Sequence, residues 1–264
     1  MLKSLYTTAT GMKAQQTMVD TIAHNIANVN TAGFKKSQAS FEDLLYVTLQ
    51  APGLNRDATG SPSPIGLQVG SGSRLSATAK IFTPGVLEGT GRNLDIAIDG
   101  SGFLQVQMPD GSTAFTRDGQ LQINADGKLV TQAGLVIQPE ITLPQDLLDV
   151  SIGTDGRVTG RTGGSPDTTT EFGQVLLVKF INPSGLFAEG GNVVRETAAS
   201  GGQVQGTPGS AGFGSVRQAF IERSNVDIVN ELVNLIVAQR AYEVNSKAIQ
   251  ASDQMLQIAT NVLR

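Results

Sequence analysis

The two ends of this chain carry apolar residues at heptad spacing, and the long middle does not. At both ends these residues recur at alternating intervals of three and four, which predicts helices that pack lengthwise on other helices. The N-terminal seam consists of Leu2, Leu5, Ala9, Met12, Gln16, Val19, Ala23 and Ile26, and the C-terminal seam of Val237, Ala241, Val244, Ala248, Ala251, Met255, Ile258 and Val262. Ends that need helical partners are more typical of an assembly subunit than of an enzyme.

A second apolar row widens the C-terminal face. It consists of Leu235, Tyr242, Ile249, Leu256 and Leu263. A face this wide exceeds what a two-stranded coiled coil needs and predicts contact with more than one neighbouring helix. The alternative is a helical hairpin within one chain, in which one side of each helix is buried. A helix over 226–263 would be about 55 Å long, and this length favours packing between molecules as well.

The middle of the chain, from about residue 74 to 222, predicts β-structure. Leu94, Ile96 and Ile98 alternate with polar residues, and 175–180 is an almost continuous apolar run. Asp-Gly pairs, which favour hairpin turns, begin at Asp99, Asp110, Asp118, Asp126 and Asp155. The predicted fold class is therefore α+β, with terminal helices and an irregular antiparallel β domain between them.

Breaks in these patterns mark the boundaries of the elements. The first helix is predicted over residues 1–30 and should end in the Asn- and Gly-containing segment 28–33. Residues 50–73 are rich in Pro, Gly and Ser, which indicates either a disordered loop or an arm that orders against a neighbour. A second linker is expected at 190–215, after which Ser224 and Asn225 are predicted to cap the last helix.

Composition excludes several kinds of site. The chain has no cysteine and a single histidine, His24, which excludes disulfides, cysteine nucleophiles and the usual zinc sites. The net charge is −4 and the basic residues are scattered, which disfavours nucleic-acid binding. We therefore expect no catalytic residue, no metal, no cofactor and no small-molecule substrate.

One enzymatic alternative remains open. The adjacent acids Glu42 and Asp43 are of the type that acts on glycans, so a secreted enzyme that cuts the cell wall is a second hypothesis from another class. The N-terminal helix lacks the continuous apolar run of a secretory signal. No cleaved signal peptide is therefore expected, and any export would follow a route that these rules do not detect.

Five segments, in order along nearly the whole chain, resemble motifs of the flagellar rod, hook and filament-junction axial proteins. They are Asn25–Lys35, Gly91–Phe103, Thr116–Gly119, Ser224–Asp227 and Gln239–Lys247. Within them the positions most characteristic of the family are Asn28, Asn30, Thr31, Gly33, Phe34, Asn225 and Arg240. Two departures are mild, since Leu121 stands where an aromatic residue is common and Ala219 where glycine is common.

The resemblance implies a layered organisation. Residues 1–30 and 225–264 would form an inner helical coiled-coil domain. Residues 31–75 and 205–224 would form a connecting domain, and 76–204 an outer β domain. The hook protein carries a further outer domain for which this chain has no room, so the resemblance favours a rod subunit. The distal part of the rod is favoured, and a proximal rod subunit is the nearest alternative.

A rod-type insertion over 46–68 is part of this resemblance. Its characteristic residues are Tyr46, Pro52, Pro62, Pro64, Leu67 and Gln68. In the family such an insertion is expected to stiffen the rod relative to the hook.

The resemblance also implies partners and a location. The chain would polymerise helically with itself into a hollow drive shaft that transmits torque from motor to hook. It would contact proximal rod proteins, the hook protein and the surrounding ring proteins. It would leave the cell unfolded through the flagellar type III export apparatus and cross the periplasm, within the rod, to the outer membrane.

Overall fold

The computed structural model describes residues 2–51 and 65–262, with the side chains of Leu2, Val262 and residues 165–167 outside that description. The chain forms two compact units. Met1–Ile26, Ser37–Ala79 and Ile228–Arg264 form one, here called the helical unit, and Ala27–Lys36 and Lys80–Asp227 form the other, here called the β unit. The predicted α+β class is confirmed, with a helix at each end and antiparallel strands between.

Two long helices dominate the helical unit. Helix α1 covers Leu2–Ala27 and helix α2 covers Ile228–Val262. The Asn25 carboxamide donates to the Glu231 carboxylate over 3.4 Å, and a Cβ atom added to Gly11 would lie 3.2 Å from the Asn245 carboxamide. Because position 25 meets 231 while 11 meets 245, the two helices run antiparallel.

Two β-ribbons complete the helical unit. Strand β1 (Ser37–Asp43) pairs with β4 (Ser73–Lys80), and β2 (Val47–Gln50) pairs with β3 (Leu67–Val69). The β2–β3 ribbon contacts α1, because the Lys3 ammonium donates to the Val69 carbonyl over 2.9 Å. Of the residues predicted to mark an insertion, Pro52, Pro62 and Pro64 lie outside the described residues.

The β unit contains sixteen short strands. They are β5 (Leu87–Gly89), β6 (Ile96–Asp99), β7 (Phe103–Gln107), β8 (Thr113–Thr116), β9 (Leu121–Ile123), β10 (Leu129–Thr131), β11 (Val136–Gln138), β12 (Leu147–Ile152), β13 (Arg157–Thr162), β14 (Ser165–Gln174), β15 (Leu177–Lys179), β16 (Phe187–Gly190), β17 (Val193–Arg195), β18 (Val204–Gly206), β19 (Ser215–Gln218) and β20 (Phe220–Glu222). A single 3₁₀ turn, Pro183–Gly185, is described among them.

Antiparallel pairing arranges these strands into one large sheet and smaller pieces. The nine-stranded sheet runs β16-β17-β8-β7-β11-β10-β9, and β15 joins it by pairing with both β7 and β18. Strands β12, β13 and β14 form a three-stranded sheet, and β6 pairs with β19 and β5 with β20. Side chains such as Val106, Phe115 and Val158 are fully buried in the core of this unit.

Buried apolar side chains are unevenly divided between the two units. Most belong to the β unit, where two clusters of buried residues form the core. In the described part of the helical unit the buried apolar residues are Ala14, Ile22 and Ala238. Since burial of apolar surface is the main favourable term in folding, the β unit has a core of its own and the helical unit has little of one.

Ala219 adopts a backbone conformation that suits glycine better. Its φ is +63°, between β19 and β20, where its amide donates to the Asp95 carbonyl over 2.7 Å. A left-handed conformation costs an L-residue about 1–3 kcal/mol, which exceeds the entropic penalty of glycine, about 0.5–1 kcal/mol. Ala219→Gly is therefore expected to stabilise the β unit by roughly 1 kcal/mol in urea unfolding. Ala125→Gly, at an exposed turn without this conformation, should give no gain, and an equal effect of both substitutions would contradict this account.

Candidate assembly surface

Helix α2 presents two parallel stripes, an inner one of small and polar residues and an outer apolar one. The inner stripe follows positions 238, 245 and 252, seven residues apart, and includes the point of contact with Gly11. Ala238 is 0% exposed and Ser252 is buried. Of the predicted second row, Leu235, Ile249 and Leu256 are half-buried beside this stripe, Tyr242 is more exposed, and Leu263 lies outside the described residues.

The outer stripe of α2 is open to solvent. It consists of the predicted seam residues Val237, Ala241, Val244, Ala248, Ala251, Met255 and Ile258. Val244 is 65% exposed and Ile258 is 63% exposed, whereas Ala241 is half-buried. The side chain of Val262, the last residue of the predicted seam, is outside the description. The described residues of the outer stripe thus form a continuous line of apolar side chains that residues 2–51 and 65–262 leave largely uncovered.

The first turns of α2 add a cluster that the sequence analysis missed. This first-turn cluster consists of exposed Ile228, Val229, Leu232, Val233 and Ile236. Together with Leu235 and Val237 it makes the first ten residues of α2 apolar except for Asn230, Glu231 and Asn234, which share one face. An apolar face this wide exceeds what a single neighbouring helix covers, so this part of α2 has the character of a segment with more than one helical neighbour. The seven apolar residues among 228–237 were the available signal.

The N-terminal seam is only partly covered. Of its predicted residues, Leu5, Met12, Val19 and Ile26 are half-buried, while Ala9, Gln16 and Ala23 are exposed. Tyr6, which was not predicted, is also exposed. It lines a cavity of about 480 Å³ between α1 and the β1–β4 ribbon, together with Thr10, Lys13, Leu44 and Leu75. The helical unit therefore offers an apolar groove beside α1 as well as the apolar outer stripe of α2.

The ribbon of β2 and β3 is apolar and exposed too. Leu45 and Ile65, at opposite ends of this ribbon, are its most exposed large apolar residues, and the predicted residues Tyr46 and Leu67 are exposed as well. Gln68, the third described residue of the predicted insertion, donates to the Thr48 hydroxyl over 3.3 Å. Contiguous exposed apolar patches of this extent on a soluble protein mark interaction surfaces.

Four of the motif residues, Asn28, Asn30, Thr31 and Gly33, lie in the turn that follows α1. The Thr31 hydroxyl donates to the Asn28 carboxamide oxygen over 3.2 Å, and the Arg223 guanidinium donates to Asn30 over 3.2 Å. Gly33 has a φ of +68°, and an added Cβ would lie 2.7 Å from the carbonyl carbon of Arg117. Glycine at position 33 is therefore required both by backbone conformation and by the close approach of another segment.

Phe34 and the two C-terminal motif residues differ in their surroundings. Phe34 is buried, with the Lys80 ammonium 5.3 Å from its ring centre. Arg240 lies on the polar side of α2 and donates to Glu243 over 2.9 Å. Asn225 does not cap α2 as predicted. The helix begins at Ile228, and the Asn225 carboxamide is engaged with the backbone of two distant segments.

A buried ionic cluster in the β unit was also missed. The Glu222 carboxylate is completely buried and pairs with the Lys35 ammonium and, over 3.0 Å, with the Arg117 guanidinium. Burial lowers the pKa of Lys35, while the charge of Glu222 opposes that shift. The resemblance motifs contain Lys35 and Arg117, but nothing in the sequence near Glu222 indicates that it joins them.

The described residues give little support to a catalytic centre. Glu42 is ion-paired to Arg74 and accepts from the Ser76 hydroxyl over 3.1 Å. These bonds, first of all that from Arg74, hold the pKa of Glu42 below its usual value, opposite to what a general acid needs. Within residues 2–51 and 65–262 no group of three or more His, Cys, Asp or Glu residues is placed to hold a metal ion. No described helix is long and apolar enough to cross a membrane.

Comparison with known proteins places the chain in a family. Residues 5–35 match the profile described as flagella basal body rod protein. Residues 97–160 match the flagellar hook protein FlgE/F/G D1 domain, and 217–262 the C-terminal domain of flagellar basal body rod FlgEFG proteins.

Several relatives match over nearly their full length. The flagellar basal-body rod protein FlgG of Borreliella burgdorferi is 46% identical over 272 residues, covering 100% of both chains. FlgG of Buchnera aphidicola subsp. Baizongia pistaciae is 47% identical, covering 97% of this chain and 98% of the relative. FlgG of Caulobacter vibrioides is 45% identical over 100% of both chains. The chain belongs to the flagellar basal-body rod protein family.

The family profiles coincide with the elements that carry the features described above. The first covers most of α1 and the turn at Gly33, and the last covers β20, Glu222 and all of α2. The middle profile begins in β6 and includes Arg117. The apolar stripes and the members of the buried ionic cluster therefore all lie in segments by which this family is recognised.

Asp118, in the same family motif as Arg117, gives the chain a pH-dependent element. Burial raises the pKa of Asp118, and the nearby charge of Asp95 adds to this shift. Between the ordinary pKa of aspartate and this raised value the folded state binds more protons than the unfolded state, so the folding stability that Asp118 contributes falls as pH rises. Asp118→Asn removes that loss and keeps an oxygen for the Gln120 amide, 3.0 Å away.

Asp118→Asn is therefore expected to stabilise the β unit at pH 7, and the gain should disappear as pH falls towards the ordinary pKa of aspartate. Urea unfolding across this range measures the effect. Asp126→Asn, at an exposed Asp-Gly turn, is the control and should change little. A gain for Asp118→Asn that is equal at pH 7 and pH 4 would contradict the assignment.

Proposed function

We propose that this chain is the structural subunit of the flagellar distal rod and that it polymerises through the apolar surface of its helical unit. The observation that carries this proposal is the contrast between the two units. The β unit buries its own core, whereas the helical unit exposes the outer stripe and the first-turn cluster of α2. An exposed apolar surface of this kind marks a site to which other molecules bind.

The chemistry of the outer stripe suits helix-to-helix contact between subunits. Its residues are medium-sized aliphatics separated by alanines, which allows neighbouring helices to approach closely along the length of α2. Burying each large apolar side chain contributes about 1.5–3 kcal/mol, and repeated contacts along a stack of subunits accumulate. Contacts between two different faces of the same chain do not close on themselves and build a helical polymer.

Torque transmission follows from the same contacts. In a hollow tube whose wall contains many long helices, twisting one subunit relative to the next would expose the apolar stripes of both. The free-energy cost rises with the area uncovered, so the tube would resist torsion and behave as a drive shaft from motor to hook.

The distal position is favoured over the proximal one because the full-length relatives are named FlgG. The enzymatic alternative has weak support, since the relatives are named as rod proteins and the Glu42 carboxylate is held ionised by Arg74. We infer that the chain is not an enzyme and that it needs no cofactor.

The partners and location follow from this assignment. The subunit would contact further copies of itself, proximal rod proteins, the hook protein and the surrounding ring proteins of the basal body. It would be exported by the flagellar type III apparatus without a cleaved signal and would act in the rod, which crosses the periplasm to the outer membrane. Neither nucleic acid nor a small-molecule substrate is involved.

The domain assignment remains a proposal. The predicted inner domain contains α1 and α2, and the predicted outer domain, 76–204, lies in the β unit except for residues 76–79. Residues 37–79, most of the predicted N-terminal connecting segment, group with the helical unit, while 205–224 group with the β unit. We propose that both segments connect the inner and outer layers of the assembled rod.

Residues 46–68 provide a test of the rod-type insertion. The chain segments that flank 46–68 are already joined to each other, because the Leu44 amide donates to the Gly72 carbonyl over 2.8 Å. Deleting 46–68 is therefore expected to leave a folded subunit that still polymerises but forms a tube that bends more easily. Persistence lengths measured on electron micrographs give the comparison. A tube as stiff as that of the intact protein would refute the stiffening role.

The polymerisation itself is tested on purified protein. The chain is concentrated at neutral pH and viewed by electron microscopy of stained samples. The proposal predicts hollow tubes of uniform diameter above a critical concentration. A protein that stays monomeric at every concentration, alone and with sheared basal bodies as seeds, would overturn it.

A further inference from the structure

Three distant segments of the chain meet inside the β unit. They are 33–36, 81–85 and 222–225, and each leads directly to a point where the chain passes to the helical unit, after Lys36, before Lys80 and after Asp227. Backbone bonds already join them. The Ile81 amide donates to the Lys36 carbonyl over 2.9 Å, and the Gly33 amide donates to the Glu222 carbonyl over 2.8 Å.

The Glu222 carboxylate strengthens this junction by accepting four hydrogen bonds from three residues. It accepts from the Lys35 ammonium in the first segment, from the Gly85 amide in the second over 2.8 Å, and from two bonds of the Arg117 guanidinium at 3.0 and 3.2 Å. Arg117 in turn donates to the Gly102 carbonyl over 3.0 Å. One buried anion thus holds two of the segments to its own segment and to the start of β7.

The Asn225 carboxamide forms a second tie among the same segments. Its oxygen accepts from the Lys36 amide over 2.8 Å, and its nitrogen donates to the Ile81 carbonyl over 2.8 Å and to the Thr83 hydroxyl over 3.0 Å. The Lys35 ammonium also donates to the Thr83 carbonyl over 2.8 Å. Side chains therefore hold each segment to the other two, while backbone bonds join 33–36 to both of the others.

We propose that Glu222 and Asn225 are the fastening residues through which torque passes between the β unit and the segments that leave it. This inference rests on the proposed function. Chain segments that are not bonded to one another yield to a mechanical load independently, each at its own weakest bond. Segments that are tied together share the load, and a buried charge pair supplies a fixed geometry because its members find no replacement partners in an apolar surrounding.

The fastening role is tested first on the purified monomer by amide hydrogen exchange. The variants are Glu222→Gln, which keeps the shape but not the charge, and Asn225→Ala. Glu140→Gln is the control, because it removes an exposed ion pair with Lys128, at 2.7 Å, in the same unit. The amides of Gly85 and Ile81 are expected to exchange at least tenfold faster in both variants, while Val106 and Phe115 in β7 and β8 keep their protection. Unchanged exchange at Gly85 and Ile81, or an equal acceleration in β7 and β8, would overturn the inference.

The torque role is tested in motile cells that carry Asn225→Ala as their only copy, in media of rising viscosity. We expect normal numbers of flagella and normal swimming in dilute medium, with a loss of rotation at high viscous load that the control does not show. Swimming that falls with viscosity as in the wild type would overturn the role, even if the exchange result holds. Failure of the wild-type chain to form tubes would count against the proposed function instead, because the exchange measurement does not depend on assembly.

Discussion

Val244→Asp is expected to abolish polymerisation while leaving the monomer folded. Val244 lies in the middle of the outer stripe and is 65% exposed, so an aspartate there is tolerated by the isolated chain. In the polymer the same position would be covered by another helix. The loss of one buried valine costs about 1.5 kcal/mol or more, and the desolvation of a carboxylate without a partner adds several kcal/mol.

The expected consequence is a rise of at least about 100-fold in the critical concentration, because each 1.4 kcal/mol corresponds to a factor of ten. Sedimentation of the polymer measures it, and circular dichroism reports the helix content of the monomer. Gln250→Asp is the matched control, since it places the same residue in the same helix on the exposed polar face. Equal critical concentrations for Val244→Asp and the wild type would show that the outer stripe is not a subunit contact.

Gly119→Ala is expected to destabilise the β unit severely. A Cβ atom at position 119 would lie 1.6 Å from the Ile96 carbonyl oxygen, which belongs to the backbone of β6 and has no free space to move into. The Ile96 amide also donates to the Gly119 carbonyl over 2.9 Å, so relief of the clash requires the loss of this bond. The sum should exceed about 4 kcal/mol, a range reached only by the severest substitutions.

Thermal unfolding provides the measurement for Gly119→Ala. At about 2–4 °C for each kcal/mol in a chain of this size, the midpoint should fall by roughly 10 °C or more, or no cooperative transition should remain. Gly202→Ala is the control, because an added Cβ there would meet open space. A midpoint for Gly119→Ala within a degree of that of the control would contradict the described packing of the segment around Gly119 on β6.

The helices and the fold class were accessible from the sequence because their signals are local. Heptad spacing located α1 and α2 to within three residues at each end, and alternation with Asp-Gly turns indicated an antiparallel β domain. The order of strands in the nine-stranded sheet was not accessible, since it depends on pairings between strands far apart in the chain.

The sequence did not separate the two stripes of α2 by their roles. The inner stripe contains Ala238, Asn245 and Ser252, which are small or polar and carry little hydrophobic signal, because they lie where α1 approaches closely. The outer stripe contains the larger aliphatic residues and was the more visible pattern. In this chain the contact between α1 and α2 is therefore marked by the inner stripe, which is the weaker of the two sequence patterns.

Buried polar residues were the hardest to predict. Glu222 binds Lys35 at a sequence separation of 187 residues and Arg117 at 105, and no spacing rule connects such positions. Asn225 lies just before α2 and was interpreted as a helix cap, which is the common role of asparagine there. Its side chain instead bonds the backbone of residues 36 and 81, because tertiary partners compete with the local ones.

The most direct test of the account uses the absence of cysteine from the chain. A single thiol is introduced by Val244→Cys in the outer stripe or by Gln250→Cys on the polar face, and its rate of labelling by a maleimide is measured in monomer and in assembled tubes. We predict that labelling at position 244 slows at least tenfold on assembly, while position 250 keeps most of its reactivity. Equal labelling of position 244 in monomer and tube would contradict the claim that the outer stripe is the surface by which the subunits assemble.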